Sequence, residues 1–338
     1  MRTDTTMTAA VYRRFGAPEV VRLERRAIPT PRPGEVLIRV HASTVSVADH
    51  RARARDVPAG LGLLAAVGLG VFRPRRPVLG MDAAGVVAAV GSDVTAFTPG
   101  DRVIAAMGGA FGGHAEYVCV PADGAITRAP SSMSLDEAVT LVFGGITAMG
   151  FFAQVSIGPG TSVLVNGASG AVGTAAIQLA KHLGAVVTAV TSGRNASLVT
   201  SLGADRVIDY TRQDFAVGSD TYDVIVECVG NAPFDRVEGS INPGGALLLV
   251  VGDLRAMLRS RGESRRSGKL VTWNVGAPSA DHLAHLVSLA ESGGFRAVVD
   301  RSFDLADIVE AHRFVDTGRK RGSVVLRIAS SEEDAGRH

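Results

Sequence analysis

The chain has 338 residues, of which 46% are hydrophobic, and a formal net charge of +2. This length favours two domains with sizeable cores, and so small a charge argues against a nucleic-acid partner. No uncharged apolar run reaches the roughly 20 residues of a membrane-spanning helix, and residues 1–16 lack the apolar stretch of a secretory signal. We therefore expect a cytoplasmic protein without a membrane partner. Cys119 and Cys228 lie too far apart in the sequence to indicate a disulfide framework, and we interpret both as buried apolar residues.

The first third of the chain is typical of a small β-rich domain. Val36, Ile38 and Val40 alternate with other residues after a Pro/Gly turn, which predicts a strand with one buried face. A second strand is predicted over 84–90, and the turn at 99–101 leads into a third. Short strands between Gly- and Pro-rich turns favour a compact barrel-like domain.

From about residue 131 the pattern changes to alternating helices and strands. Helices are predicted over 138–152, 174–183 and 196–202, and nearly continuous apolar strands over 162–165, 185–190, 223–226 and 246–251. Strands of this kind are buried in parallel sheets, so the alternation predicts a doubly wound α/β domain. A last helix over 305–315 and a strand over 323–328 should return to the first domain, and residues 331–338 should be frayed.

The strongest motif lies at residues 163–173, where the strand Val-Leu-Val is followed by Asn-Gly-Ala-Ser-Gly-Ala-Val-Gly and a predicted helix. This is the dinucleotide-binding fingerprint with Ala168 at its first glycine position. Gly170 lets the backbone approach a pyrophosphate, and Gly173 lets the helix pack closely on the sheet. The helix N-terminus supplies N–H groups and partial positive charge, so the motif predicts a bound dinucleotide.

The residues after the next strand indicate which dinucleotide is bound. An NAD site usually carries Asp or Glu at the end of that strand, to hold the ribose 2′-hydroxyl. Here the strand ends in Val190 and continues through Ser192 and Arg194 without an acid. A serine and an arginine can bond to a 2′-phosphate, so we expect NADPH; a solvated loop arginine is the alternative interpretation.

An apolar, glycine-punctuated segment over 60–72 is flanked by arginines on both sides. One interpretation is a short packed helix with solvated flanks. The other is a lid over a substrate site.

Several motifs, taken in order, resemble one known family. They are Pro-Val-Leu-Gly-Met-Asp-Ala-Ala-Gly-Val-Val at 77–87, Gly-Asp-Arg-Val at 100–103, Gly-His-Ala-Glu-Tyr at 113–117, the fingerprint, Leu-Gly-Ala-Asp at 202–205, Ile-Asp-Tyr at 208–210 and Pro-Gly-Gly at 243–245. Their order and spacing resemble the quinone oxidoreductase (zeta-crystallin-like) group of medium-chain dehydrogenases/reductases. The resemblance implies an α/β protein with a GroES-like β-barrel domain at 1–130, completed by 304–338, and a Rossmann NADPH-binding domain at 131–303. It also implies a homodimer.

Zinc-bearing members of that superfamily hold a catalytic metal with Cys, His and Cys. The positions that look equivalent here are Ser46, Met81 and Phe143. Methionine and phenylalanine are not zinc ligands of the usual kind, so we expect no metal. With Leu63 and Leu64 from the segment 60–72, Met81 and Phe143 are predicted to line an apolar substrate pocket.

The resemblance also implies the remaining site residues. Ser169, Ala171 and Val172 should contact the pyrophosphate, beside Gly170 and Gly173. Ser192, Arg194 and Tyr210 should surround the 2′-phosphate, and Thr147 and Ser46 should approach the nicotinamide. Gly230, Gly252, Arg321 and Gly322 should line the rest of the cofactor. Some enoyl reductases of the superfamily use a tyrosine as proton donor, but residues 47–80 contain none, so water or the Ser46 hydroxyl are the candidate donors.

These observations predict an NADPH-dependent oxidoreductase that needs no zinc and reduces a small hydrophobic acceptor, such as a quinone, an enone or another α,β-unsaturated carbonyl. One alternative is a catalytically weak NADPH-binding protein with a regulatory or sensing role, which the missing tyrosine permits. Another is a zinc-free ketone or alcohol oxidoreductase.

Overall fold

The computed structural model describes residues 5–328, so the frayed end predicted for 331–338 lies outside the described residues. The chain divides into two compact units. Unit 1 comprises the chain up to Val57, Leu63–Phe143 and the chain from Pro278 onward. Unit 2 comprises Pro58–Gly62 and Gly144–Ala277.

The described residues form the following elements. The strands are β1 (Thr6–Tyr12), β2 (Val21–Ala27), β3 (Glu35–Thr44), β4 (Asp82–Val90), β5 (Arg102–Ala106), β6 (Tyr117–Pro121), β7 (Ile126–Arg128), β8 (Ser162–Asn166), β9 (Val186–Thr191), β10 (Arg206–Asp209), β11 (Tyr222–Glu227), β12 (Ile241–Leu249), β13 (Leu270–Thr272), β14 (Val299–Asp304) and β15 (Ser323–Arg327). The helices are α1 (Val47–Ala54), α2 (Gly62–Leu69), α3 (Leu135–Ala138), α4 (Thr140–Phe152), α5 (Ala171–His182), α6 (Ala196–Ser201), α7 (Phe234–Val237), α8 (Leu254–Ser267), α9 (Ala280–Glu291) and α10 (Ile308–Asp316).

Unit 1 is built on a largely antiparallel sheet in the order β14-β15-β3-β4-β5-β7, with β6 also paired to β3. Val36, Ile38 and Val40 of β3 are fully buried, as their alternation predicts. The C-terminal strand β15 pairs antiparallel with β3, with Val325 opposite Thr44. The expected GroES-like β-domain is therefore confirmed.

Unit 2 is built on a parallel sheet in the order β10-β9-β8-β11-β12-β13. Numbered from its first strand, this is the order 3-2-1-4-5-6 of a doubly wound dinucleotide-binding domain. Leu164, Ile225 and Leu247 are fully buried, because the strands of such a sheet are covered on both faces. The strand order reverses between β8 and β11, and ligands bind at the carboxyl edge of such a switch point. The Rossmann prediction is confirmed.

The two units divide the chain at other positions than the boundaries predicted from sequence. The helix α9 lies in unit 1, although the prediction includes it in the Rossmann domain at 131–303. Glu291 at the end of α9 accepts hydrogen bonds from the backbone N–H and hydroxyl of Ser131, at 2.5 and 3.0 Å. Leu283, Leu286 and Leu289 form the buried face of α9, but the spacing of such residues in the sequence does not say which sheet that face meets.

One segment, Leu135–Phe152, is long and apolar enough to cross a membrane by length and composition alone. Its 18-residue window is 67% buried inside the protein. That burial is typical of a core helix in a soluble protein, and the segment is weak evidence for a membrane span.

Candidate functional site

The phosphate-binding turn joins β8 to α5 in unit 2. Gly167 has φ +77°, a conformation that favours glycine. A Cβ on Gly173 would lie 2.3 Å from the Gly167 carbonyl oxygen, so no other residue allows α5 to start so close to the turn. Gly170 is the N-cap residue of α5 and has no side chain to cap the first turn. The N–H groups at the start of α5, from Ala171 and Val172, are thus suited to phosphate oxygens.

Ser169 is held in place by the end of β9. Its hydroxyl oxygen accepts hydrogen bonds from Thr191 Oγ1 and Asn195 Nδ2, each at 3.0 Å. Asn195 Nδ2 also lies 3.3 Å from Ser192 Oγ. Since the Ser169 oxygen accepts from both partners, its own proton is left to donate to a phosphate. The sequence prediction missed Thr191 and Asn195, because their role follows from the pairing of β8 with β9.

The three residues predicted around the 2′-phosphate lie close together. The Tyr210 N–H donates to the Thr191 carbonyl at 3.2 Å, which brings the ends of β9 and β10 together beside Ser192. The side chains of Arg194 and Tyr210 are exposed, whereas Ser192 is half-buried. This edge of unit 2 therefore presents a hydroxyl, a guanidinium and a phenol to solvent.

An acid that the sequence prediction missed lies beside the same loop. A Cβ on Gly193 would be 2.6 Å from Asp209 Oδ2. Asp209 accepts hydrogen bonds from the Thr211 N–H and hydroxyl, at 3.0 and 2.7 Å. These bonds and one from the Gly193 N–H lower the pKa of Asp209, and Arg212 lies 3.8 Å away. The carboxylate is ionised and ties the loop to β10.

A buried polar network fixes the neighbouring strand end. Glu227 is fully buried at the end of β11. Its Oε1 accepts from the N–H groups of Val229 and Gly230, both at 2.6 Å, and its Oε2 accepts from Asn166 Nδ2 at 2.7 Å. Asn166 is the last residue of β8, so the network links the phosphate-binding turn to the loop that carries Gly230 (φ +95°). In the sequence, the signal that could have revealed this network is a glutamate at the end of an apolar strand.

The other predicted cofactor residues of unit 2 lie at strand ends or in α4. A Cβ on Gly230 would lie 2.8 Å from Val251 Cγ1, so the ends of β11 and β12 are adjacent. Gly252 follows β12 and precedes Asp253, which caps α8 by accepting from the Ala256 N–H at 2.7 Å. Thr147 is half-buried in α4.

In unit 1, Ser46 is the N-cap residue of α1 and only 3% exposed. Its hydroxyl donates to Asp49 Oδ2 at 2.5 Å and accepts from the Asp49 N–H at 3.3 Å. Asp49 Oδ1 also accepts from the Gly80 N–H at 2.8 Å, which brings Met81 towards Ser46. The hydroxyl proton of Ser46, the predicted donor, is therefore already engaged in a hydrogen bond to Asp49 within the protein.

Burial governs the electrostatics around Met81. The neighbouring Asp82 is fully buried and accepts from the Thr44 N–H and hydroxyl, at 2.7 and 2.5 Å. Burial nevertheless raises the pKa of Asp82 to about 7. Met81 and Phe143 are half-buried. The thioether of Met81 and the phenyl group of Phe143 carry no charge.

The last predicted residues of unit 1 differ in exposure. Leu63 and Leu64 in α2 are exposed, at 77% and 60%. Arg321 is exposed and lies 3.7 Å from Asp300. Gly322 has φ +63°, and a Cβ there would lie 2.2 Å from the Val298 carbonyl oxygen. That clash gives Gly322 a structural reason to be glycine, independent of any cofactor.

Within residues 5–328, no group of three or more His, Cys, Asp and Glu side chains is arranged to hold a metal ion. The turn, the ordered Ser169 and the unpaired start of α5 do fit a dinucleotide. A GroES-like β-domain together with a Rossmann domain that carries this turn defines a dinucleotide-binding protein of the medium-chain dehydrogenase/reductase fold.

Comparison with known proteins gives the family. Residues 32–131 match the alcohol dehydrogenase GroES-like domain, and 202–326 match a family described as zinc-binding dehydrogenase. A chloroplastic quinone oxidoreductase of Triphysaria versicolor is 32% identical over 88% of this chain and 91% of its own length. An NADPH-dependent alkenal/one oxidoreductase of Arabidopsis thaliana is 30% identical over 95% of this chain and 79% of its own. The solved quinone oxidoreductase of Coxiella burnetii superposes with a TM-score of 0.85 at 28% identity, covering 96% of this chain and 100% of that one.

The chain belongs to the quinone oxidoreductase group of the medium-chain dehydrogenase/reductase superfamily. The resemblance seen in the sequence motifs is confirmed, and the protein is an oxidoreductase.

Proposed function

We propose that this protein uses NADPH, without zinc, to reduce an activated hydrophobic acceptor: a quinone, an enone or another α,β-unsaturated carbonyl. The observation that carries the proposal is the turn at Gly167–Gly173, with Ser169 oriented by Thr191 and Asn195 at the carboxyl edge of a parallel sheet. When bound there, NADPH supplies a hydride. The chain's own residues hold its phosphates and orient it.

The choice of NADPH over NADH is supported by the loop after β9. Ser192 and Arg194 offer a hydroxyl and a guanidinium where an NAD site carries an acid. Asp209 lies nearby, but its oxygens face inward to Gly193 and Thr211, and Arg212 is close to it. These contacts partly compensate the negative charge of Asp209, so it opposes a bound 2′-phosphate only weakly.

A zinc-independent reaction is supported by the donor set. The family description that matches 202–326 mentions zinc, but Met81 and Phe143 stand where zinc-bearing members have ligands. Neither side chain coordinates zinc in the usual tetrahedral sites. Activation of the acceptor must then come from hydrogen bonds and from the acceptor's own electron deficiency.

The acceptor class is supported by the position of the Ser46 proton. Because that proton is directed at the Asp49 carboxylate, Ser46 is poorly placed to protonate a substrate. A quinone reduced by hydride takes its proton readily from water, so it depends least on an enzyme acid. An enone also qualifies where water reaches its α-carbon. The names of the relatives, quinone oxidoreductase and alkenal/one oxidoreductase, agree with both acceptor types.

The test is NADPH oxidation with a panel of quinones, enones and enoyl thioesters. We expect turnover with at least one quinone or enone. Ser169→Ala should raise the KM for NADPH about tenfold, because it removes a hydrogen bond to a charged phosphate. Ser201→Ala, at an exposed serine ending α6, is the matched control. NADPH binding without turnover of any acceptor would instead favour a regulatory or sensing protein.

A further inference from the structure

The outward face of α2 is apolar. Ala66 is buried and Leu69 packs against the core of unit 1. With about 3.6 residues per turn, Leu63, Leu64 and Val67 share the opposite face. The exposed fractions along this segment are 77% for Leu63, 60% for Leu64, 58% for Val67, 55% for Val71 and 94% for Phe72. A surface helix normally turns polar residues outward, so a contiguous exposed apolar patch indicates a binding surface.

Positive charge borders this patch on one side. Arg73, Arg75 and Arg76 follow Phe72 directly and are exposed. The sequence contains no acidic residue between Asp56 and Asp82. Among the ion pairs of residues 5–328, none involves these three arginines. Their charge is uncompensated locally.

The segment is nevertheless anchored. The Arg75 N–H donates to the Leu69 carbonyl at 2.8 Å, and the Gly70 N–H donates to the Ala66 carbonyl at 3.0 Å. Arg55 Nη1 donates to the Val71 carbonyl at 2.9 Å. These bonds hold the apolar side chains and the arginines next to each other on one ordered segment.

We propose that residues 62–76, the α2 surface, bind the protein peripherally to membranes that contain anionic lipid. Exposed leucine, valine and phenylalanine enter the boundary between headgroups and acyl chains, while the arginines meet lipid phosphates. This proposal departs from the sequence expectation of a protein without a membrane partner, because it places one exposed face of the protein on a bilayer surface.

Charge distinguishes this occupant from a second copy of the chain. A two-fold contact through the α2 surface would bring the arginines of both copies to the same interface. Like charges in contact oppose association, whereas an anionic membrane attracts the same arginines. A membrane also stores apolar acceptors, although binding itself does not depend on which acceptor the enzyme uses.

The experiment is flotation of the full-length protein with vesicles of phosphatidylcholine alone or of an equimolar phosphatidylcholine and phosphatidylglycerol mixture. We expect stronger binding to the anionic vesicles, reduced by high salt. Each arginine near an anionic surface strengthens binding about fivefold, so R75E/R76E should weaken it at least about 25-fold. The charge-matched control R22E/R319E changes two exposed arginines elsewhere in unit 1. It should leave binding within about twofold, because neither arginine belongs to the α2 surface and salt screens exposed charges that do not contact the lipid.

A second variant, L64S/V67S/F72S, tests the apolar contribution. All three side chains are exposed, so folding should be retained, as judged by an unchanged Tm. Binding to both kinds of vesicle should be lost. Absence of vesicle binding by the unmutated protein would overturn the proposal, and so would an equal effect of R22E/R319E. Conversion of a dimer to a monomer by the serine variant, without vesicle binding, would show that a second copy covers this face.

Discussion

Replacement of Arg194 by alanine should remove most of the preference for NADPH. A hydrogen bond to a charged group contributes about 1.5–3 kcal/mol, which corresponds to about 10- to 150-fold in affinity. Arg194 is exposed, and solvent weakens such contacts, so we expect the lower end, about tenfold. The unmutated protein should bind NADPH at least about tenfold more tightly than NADH, and Arg194→Ala should bring the two dissociation constants close together.

Asp209 gives this prediction an internal check. Its ionised carboxylate lies beside Gly193, so it should oppose a bound 2′-phosphate. Two like charges about 4 Å apart in water repel by about 1 kcal/mol. Asp209→Asn should therefore strengthen NADPH binding by up to about fivefold and leave NADH binding nearly unchanged. The two substitutions thus move the preference in opposite directions.

The assay is direct titration of both cofactors, followed by nicotinamide fluorescence or calorimetry. Arg206→Ala is the matched control, because Arg206 starts β10 and pairs with Asp220 at 2.6 Å, away from the loop after β9. Equal affinities for NADPH and NADH in the unmutated protein would refute the reasoning. An Arg206→Ala effect as large as that of Arg194→Ala would show that overall charge, and not the loop, sets the preference.

Three further predictions concern metal, acceptor and pH. Activity should survive prolonged EDTA treatment, because Met81 and Phe143 cannot ligate zinc; stoichiometric zinc lost together with activity would contradict this. Catalytic efficiency should rise with acceptor hydrophobicity, at roughly 0.8 kcal/mol per buried CH₂. Replacing 61–71 by a short Gly/Ser loop should raise KM more for bulky acceptors, and equal effects on large and small acceptors would refute a lid. His312 is fully buried and burial lowers its pKa well below 6.5, so its contribution to stability is present above pH 6.5 and lost as pH falls. His312→Leu should therefore flatten the loss of unfolding free energy in acid, and an unchanged pH profile in denaturant titrations would contradict this.

The sequence predicted the parts of the site that depend on local backbone requirements. The turn at Gly167–Gly173 could be predicted because only glycine at 173 lets α5 approach the Gly167 carbonyl so closely. The glycines that meet this requirement lie within a few residues of each other in the sequence. Burial of Val36, Ile38 and Val40 followed from simple alternation.

The parts that escaped prediction depend on contacts between distant segments. Glu227 accepts hydrogen bonds from the loop that follows β11 and from Asn166 in β8. Asp209 lies beside Gly193 in the loop that follows β9. Both effects require the strand register, which no short motif encodes. The segment 60–72 was predicted as a packed helix or a lid. The helix α2 is present, but Leu63 and Leu64 are exposed. The spacing of apolar residues in a sequence shows which residues share a face, but it does not show whether another surface covers that face.

The most direct test of the central claim follows the hydride itself. Metal-free protein is supplied with NADPH deuterated at the transferable position of the nicotinamide ring, together with an enone that it turns over. The account predicts that deuterium appears on the β-carbon of the saturated product, in proportion to the NADPH oxidised. NADPH consumption without deuterium in the product, or transfer only after zinc is added, would contradict it.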